Sequence, residues 1–257
     1  MLATLNFGAH CGGVAAPSDE VTDPEVLLER IEARGDQIHS ARLRVVSEYY
    51  DGELRGANFR QVVLVREPQD IHVQILSPFG QSLQTLHCNG ERLSLYDLEQ
   101  QIYYFGDATP QNLSRLLPFY MTPADVVRVL TGGPPLEQFG EDTSAYELSW
   151  DTEAGLYQLT VPLRHEPGSL QLGVRHGDWG IANARRYNAD GDLVFELRTG
   201  DFEEIDGVWV PNRLRFLHNT EPEVDMSMEV EQFDLNPELN DALFEMDAPA
   251  GVEQIPL

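Results

Sequence analysis

Cysteine, basic charge and long apolar runs are scarce in this chain, and each scarcity excludes something. Two cysteines among 257 residues cannot build a disulfide framework, although one bridge is open to them. No stretch approaches the roughly 20 apolar residues that a membrane-spanning helix needs. Lysine and arginine together number 17 against 43 acidic residues, a formal net charge of -26. A surface of that sign repels phosphate backbones and anionic headgroups, so no nucleic acid partner is expected. The charge itself has two readings: a device for solubility and for turning away unwanted partners, or the style of the host's proteome. The acids are spread along the chain, clustering modestly at 19–36, 137–153 and 201–206 and recurring over 221–247, and form no single-sign tail.

Signatures of chemistry are missing as well. There is no HExxH and no CxxC, and no two of the seven histidines stand at helical i, i+4 spacing, so no metal site is expected. His72, His87, His176 and His218 fall on separate predicted strands, and His165 between two of them. No G-x-S-x-G elbow exists, and the glycine pair Gly132-Gly133 ends a helix rather than opening one around a phosphate. Carboxylates are too numerous for any pair to stand out. The expectation is a binding protein without an active site, a metal or a cofactor.

What is present is alternation. Residues 1–21 form a small, unpatterned tail expected to be flexible, followed by one domain over 22–257. A helix opens that domain at PEVLLERIEARG, with Asp23 as cap, Pro24 in the first turn, a stripe of Val26, Leu27, Ile31 and Ala33, and Gly35 as stop. From residue 41 the period becomes two. Strands are predicted at 41–50, 58–67, 71–77, 82–88, 91–97 and 100–106, with Asn89-Gly90 as a hairpin signal. Two helical pieces follow, 110–120 and 121–133, the second capped by Thr122. A second strand run covers 145–151, 156–163, 169–176, 180–188, 193–205, 208–218 and 224–235, with turns at Asp190-Gly191 and Asp206-Gly207. Pro211 inside a strand belongs at an edge or a bulge. One short helix then precedes Phe244, whose ring is expected to plug the core. Tight links make sequential strands antiparallel neighbours, and a sheet of this many strands must curl or close. The fold class is therefore α+β, mainly β: a strongly curved antiparallel sheet with the helices packed as a lid on its concave side.

Three stretches carry a family resemblance: VQILSPFGQSLQTL (73–86); ERLSLYDLEQQIYYFG with the helical pair and VVRVLTGGPP; and ELRTGDFEEIDGVWVPNRLRF followed by VEQFDLNPELNDALFEMDAPAGV, closing through Asn236, Phe244, Pro249 and Gly251. In this order they resemble the LolA/LolB superfamily of bacterial lipoprotein carriers, and the outer-membrane lipoprotein-sorting, LolB-like members in particular. The chain is longer and more acidic than LolB.

The resemblance implies a half-open barrel whose cavity accepts acyl chains. It implies non-enzymatic binding or transfer of lipidated cargo, and a place in the bacterial envelope on the periplasmic face of the outer membrane. It also implies a protein that works as a monomer. CGG at Cys11 resembles the start of a mature lipoprotein, which would make Cys11 the lipid anchor, although His10 stands where a small residue is expected. No charged start and long apolar core precede it. The natural start lies further upstream, or the chain has been trimmed, or Cys11 is an ordinary tail cysteine.

Cavity candidates are Leu43, Val45, Val63, Val65, Val73, Ile75, Leu93 and Leu95 from the first strand run and Leu113, Leu116, Leu117, Val126 and Leu130 from the lid; the alternative is that these pack on one another as core. Pro78, Phe79 and Gly80 form a turn that either projects towards membrane or cargo or folds back under the lid. A second functional reading keeps the fold but fills the cavity, giving an interaction or sensor lipoprotein whose acidic surface binds a basic protein.

Overall fold

The structure is a computed structural model, and it describes residues 13–50, 55–117, 120–219 and 223–257. Cys11 and residues 118 and 119 of the predicted lid helix lie outside these.

One sheet of fourteen strands organises the chain. A first meander is built from β1 (Ser40–Tyr50), β2 (Arg55–Arg66), β3 (Asp70–Leu76), β4 (Ser82–Cys88), β5 (Arg92–Asp97) and β6 (Ile102–Asp107). A second comprises β7 (Glu147–Asp151), β8 (Leu156–Pro162), β9 (Gly168–Arg175), β10 (Ile181–Asn188), β11 (Leu193–Ile205), β12 (Val208–His218) and β13 (Val224–Leu235). The two join where β13 pairs antiparallel with β1. A last strand, β14 (Glu253–Pro256), runs parallel to β6. The order is β14-β6-β5-β4-β3-β2-β1-β13-β12-β11-β10-β9-β8-β7. The sheet curls without closing, and the expected half-open barrel with a helical lid is the observed architecture.

Alternation explains the inward face. Ala41, Leu43, Val45 and Ser47 of β1 are buried while Arg42, Arg44 and Glu48 are exposed. On β13 the pattern changes parity, from Phe233 inward to Val224, Met226 and Met228 inward. The register shift opposite Arg44 and Val45, which leaves Glu231 as the extra residue, makes that change. A bulge of one residue is what turns an odd inward set into an even one. Pro211 is harmless within β12 because that strand pairs with β13 only from Arg213 onward, so no ladder bond is missing on that side.

Among the described residues one α-helix precedes the sheet and two lie between its meanders. α1 (Pro24–Gly35) is capped by the Asp23 carboxylate, which accepts from Glu25 N at 2.9 Å. Its buried face is Leu27, Ile31 and Arg34, whereas Val26 and Ala33, expected in the stripe, are exposed. The spacing 27, 31, 34 is one helical face, and residues 26 and 33 each lie about 100° away from it. α2 (Pro110–Ser114) is far shorter than the predicted 110–120 and buries only Leu113. α3 (Pro123–Leu130) buries Val126, Val127, Val129 and Leu130 and packs on β2 and β3. Gly132 ends it at φ +82, where a Cβ would sit 2.9 Å from both Arg34 Nη2 and Pro211 Cδ; only glycine meets both demands.

The chain's last segment was misplaced by periodicity alone. Phe244 is fully buried, but it plugs no central core. After β13 the chain crosses the outer face of the first meander, and Phe244 lies there under the Arg66 guanidinium, 4.7 Å from ring centre to Cζ. The crossing begins at Asn236, whose Oδ1 accepts from His39 N at 2.7 Å and whose Nδ2 donates to Gln37 O at 2.8 Å. This strap is why His87 and Ser94, on the outward side of their strands, are nonetheless buried.

Candidate functional site

The strands present two ends. The turns β3–β4 and β5–β6 lie at one end, and the β7–β8, β9–β10 and β11–β12 turns at the other. Near the first end the concave face is not filled. A cleft of about 800 Å3 opens there between the sheet and the segment following α2, within the range of about 300–1,000 Å3 typical of small-ligand sites. Phe59, Val73, Ile75 and Met226 form its apolar wall, and Leu116 and Leu117 close it from the lid side. Polar side chains also reach it, with Ser114, Arg115 and His218 among the lining. Gln61 Nε2 donates to Ser47 Oγ at 2.9 Å in the interior, and an Arg186–Glu166 ion pair stands at the mouth.

Of the cavity candidates, Val73, Ile75, Leu116 and Leu117 line this cleft. Leu43, Val45, Val63, Val65, Leu93, Leu113, Val126 and Leu130 are buried in the central cluster, and Leu95 packs against it. Periodicity finds the inward face but not where along a strand that face is left uncovered, because the covering residues come from α2 and from β10–β13. Phe59, Met226, Val224 and Tyr120 also line the cleft, and no sequence signal set them apart.

Phe79 points outward and is 92% exposed. The turn holds it there: Gly80 N donates to Ser77 O at 2.9 Å, Ser77 N to Gln81 O at 2.7 Å and Gln81 N to Ser77 Oγ at 3.1 Å, with Gly80 at φ +80. Pro78 and Gly80 are exposed beside it. Leu83, Leu98, Tyr50 and Tyr120 are further exposed apolar side chains around the same end. The described tail is tied to the opposite end, where Val14 N donates to Thr152 O at 2.6 Å and Trp150 Nε1 to Val14 O at 2.9 Å.

The lid carries one buried charge. Asp125, in the first turn of α3, accepts from Glu137 N at 3.0 Å, while its second oxygen has no partner. Burial pushes its carboxyl up to about 6 against the opposing Glu137 N–H bond and the nearby Arg128. The folded state thus holds a proton that the unfolded state, near 3.8, has released, so stability falls as pH rises through that window and stays low above it. Asp125→Asn is expected to stabilise the protein at pH 7 by about 1–3 kcal/mol, with the gain gone at pH 4. Urea titrations of both proteins at the two pH values measure it.

Cys88 is fully buried, and burial raises its thiol to about 11, which makes it an unreactive core residue. Among the described residues no cluster of histidine, cysteine and carboxylates could hold a metal ion, and no helix is long and apolar enough to cross a membrane. The register does bring two histidines together: His72 stands opposite His87, ring centres 4.7 Å apart. Both Nδ1 atoms reach Leu243 O, at 2.8 and 3.0 Å. A carbonyl only accepts, so both rings donate there, and the pair anchors the strap.

By sequence, the chain matches no family model and no curated protein. Solved structures do match. A LolA superfamily protein from Nitrosomonas europaea aligns over 88% of this chain and 98% of its own at 16% identity and a TM-score of 0.57. A DUF1329 family protein from Desulfovibrio piger aligns over 87% and 98% at 14% identity and a TM-score of 0.61. A domain described as a putative outer membrane lipoprotein-sorting protein, from Vibrio parahaemolyticus, aligns over 85% and 94% at 10% identity and a TM-score of 0.56. Identities this low speak to architecture alone, and on that level the chain has the LolA/LolB-like fold.

Proposed function

We propose that the protein binds the acyl chain of a lipid or lipidated protein in the cleft under the lid and passes it on without covalent chemistry. The observation that carries this reading is the cleft itself: an apolar wall left uncovered on the concave face, with Leu116 and Leu117 over it from the lid side. Each methylene moved from water into such a space contributes about 0.8 kcal/mol. An acyl chain needs nothing more specific from the apolar wall. Reversible binding follows from the lid, because α2 buries a single leucine and the segment after it is only partly covered.

The setting we propose is the bacterial envelope, on the periplasmic face of the outer membrane, with Cys11 as the lipid anchor. The described tail is fastened at the end of the sheet opposite the cleft. An anchored chain would therefore turn the cleft mouth and Phe79 away from its own membrane, towards incoming cargo. In this reading Pro78, Phe79 and Gly80 are the contact that receives cargo.

Native mass spectrometry of the protein gently purified from bacterial membranes, followed by lipid extraction, tests the reading. One acyl species per chain is expected; an unoccupied mass that stays unchanged after incubation with fatty acids would overturn it. The loop is tested separately. Phe79→Asp is expected to slow uptake of a fluorescent fatty acid from phosphatidylcholine vesicles about tenfold while leaving equilibrium affinity unchanged, since Phe79 does not line the cleft. Stopped-flow transfer traces report the rate and plateau together.

A further inference from the structure

A second site lies at the end of the molecule remote from the cleft, and it has the opposite character. The chain contains no lysine, and three of its seventeen arginines gather where α1 meets the β9–β10 and β11–β12 turns. There Arg30, Arg34, His176, Trp179 and Trp209 line a cavity of about 630 Å3. Arg30, Ala33 and Arg34 of α1 line it together with Gln37 just beyond the helix, at the i, i+3, i+4, i+7 spacing of one face, so α1 turns both arginines towards the cavity.

Arg34 is the unusual member. It is 5% exposed, and a buried guanidinium is costly unless its donors are taken. Only one nitrogen is engaged: Nη2 donates to Thr131 O at 3.0 Å and to Trp209 O at 2.5 Å. Nε has no partner. The acid that most influences Arg34, Asp178, is occupied, since Arg175 holds it at 2.6 Å. Burial lowers Arg34 to about 10, which still leaves it charged at neutral pH. A buried cation therefore faces a cavity with its fork largely unused, inside a protein of net charge -26.

The aromatic wall supplies an independent observation. Trp179 has φ +56, a left-handed backbone that a bulky residue adopts only under constraint. That conformation sets its indole 6.0 Å from Tyr157 and 5.5 Å from His176, with the Arg30 guanidinium 4.6 Å from its centre. Arg30 makes no ion pair among the described residues. Trp209 is backed by Arg175 at 5.7 Å. Strained backbone is retained where the surroundings enforce it, and here it puts a flat ring under the Arg30 guanidinium in the cavity that Arg34 also lines.

We infer that this cavity binds a small oxyanion carried on a flat body: a carboxylate or phosphate monoester whose acid group takes the free donors of Arg34 and Arg30, and whose ring lies against the tryptophans. Planar forks suit both acid groups in bidentate geometry. The site shares no residue with the acyl cleft, and the inference stands whether or not the cleft holds lipid.

Isothermal titration with benzoate, phenyl phosphate and the neutral isostere benzamide tests it, with tryptophan emission followed in parallel. Saturable binding of benzoate or phenyl phosphate at one per chain, with no binding of benzamide, is the expected result, and the tighter of the two acids identifies the acid group. Arg30→Gln, at a half-exposed position, is expected to weaken binding at least about tenfold without changing the melting temperature. Arg34→Met should abolish it, and if that variant does not fold, the Arg30 variant decides. Equal binding of benzamide, no saturable heat with either acid, or unchanged affinity in Arg30→Gln would overturn the inference. Val73→Trp should leave benzoate binding untouched, which separates this site's failure from the cleft's.

Discussion

Replacing Val73 with tryptophan is expected to weaken acyl-chain binding about fifty-fold while the protein keeps its fold. Val73 stands in the middle of β3 with its side chain on the cleft wall and 8% of its surface still exposed. Strand positions accept aromatic side chains readily, and the cleft gives the larger ring somewhere to go. That space is the ligand's. The added volume excludes roughly three methylenes of chain, which at about 0.8 kcal/mol each is about 2.4 kcal/mol, or roughly fifty-fold in Kd. Leu43→Trp is the necessary contrast. Leu43 is fully buried and surrounded by core, so the same substitution overpacks a filled region and is expected to cost about 1–3 kcal/mol of stability. Titration with a fluorescent fatty acid, together with urea denaturation, measures both. Unchanged fatty-acid affinity in Val73→Trp would mean the cleft is not where acyl chains go.

Truncating Phe244 to alanine is expected to destabilise the protein by about 3–5 kcal/mol, the range for a fully buried phenylalanine. The loss should be felt far from residue 244, because the strap is a chain of dependent contacts. Arg66 covers the ring and also donates to Asp70 and Asp241. The two histidines hold the neighbouring carbonyl of Leu243, and Tyr103 OH donates to Met246 O at 2.7 Å. Beyond these the chain pairs as β14 with β6. Loosening the ring should therefore free β14 and raise amide exchange in β6, which then becomes a sheet edge. Acid should act on the same element. Burial, His72 and, in opposition, the Leu243 bond leave His87 at about 4, below its ordinary 6.5. The unfolded state binds the proton first, so stability present above pH 6.5 is lost as pH falls towards 4. Hydrogen exchange of residues 102–107 at pH 7 and pH 5, in wild type and Phe244→Ala, reads both effects. A change below about 1 kcal/mol for Phe244→Ala would show that the strap is an ornament on a sheet stable without it.

The sequence was informative wherever a rule is local. Period-two alternation located β1 to β13, within a few residues at their ends, because a sheet with one wet face requires it. Asp206-Gly207 was legible as a hairpin because both residues must take positive φ, and they do, at 51° and 86°. Thr122 with Pro123 fixed the start of α3, whose amide the threonine caps. The single long helix expected over 110–120 was not there: its apolar leucines serve a turn over the cleft, where tertiary contact outweighs propensity. β14 went unseen because a four-residue strand carries no period and pairs parallel with a strand some 150 positions earlier.

Thirteen of the strands, the inward face of the first meander and the curl of the sheet were thus readable from patterns a few residues long, while the resemblance to lipoprotein carriers rested on the order of three longer stretches. Only the tertiary structure decided where that inward face is filled and where it is left open. A cleft is a deficit of contacts from elements distant in the chain, and no residue carries a mark of what fails to reach it. The same holds for the outer face: His72, His87 and Phe244 look like scattered strand and tail residues until the strap folds back over them. Arg34 looks like a charge at the end of an amphipathic helix until the β9–β10 and β11–β12 turns enclose it with its donors unspent.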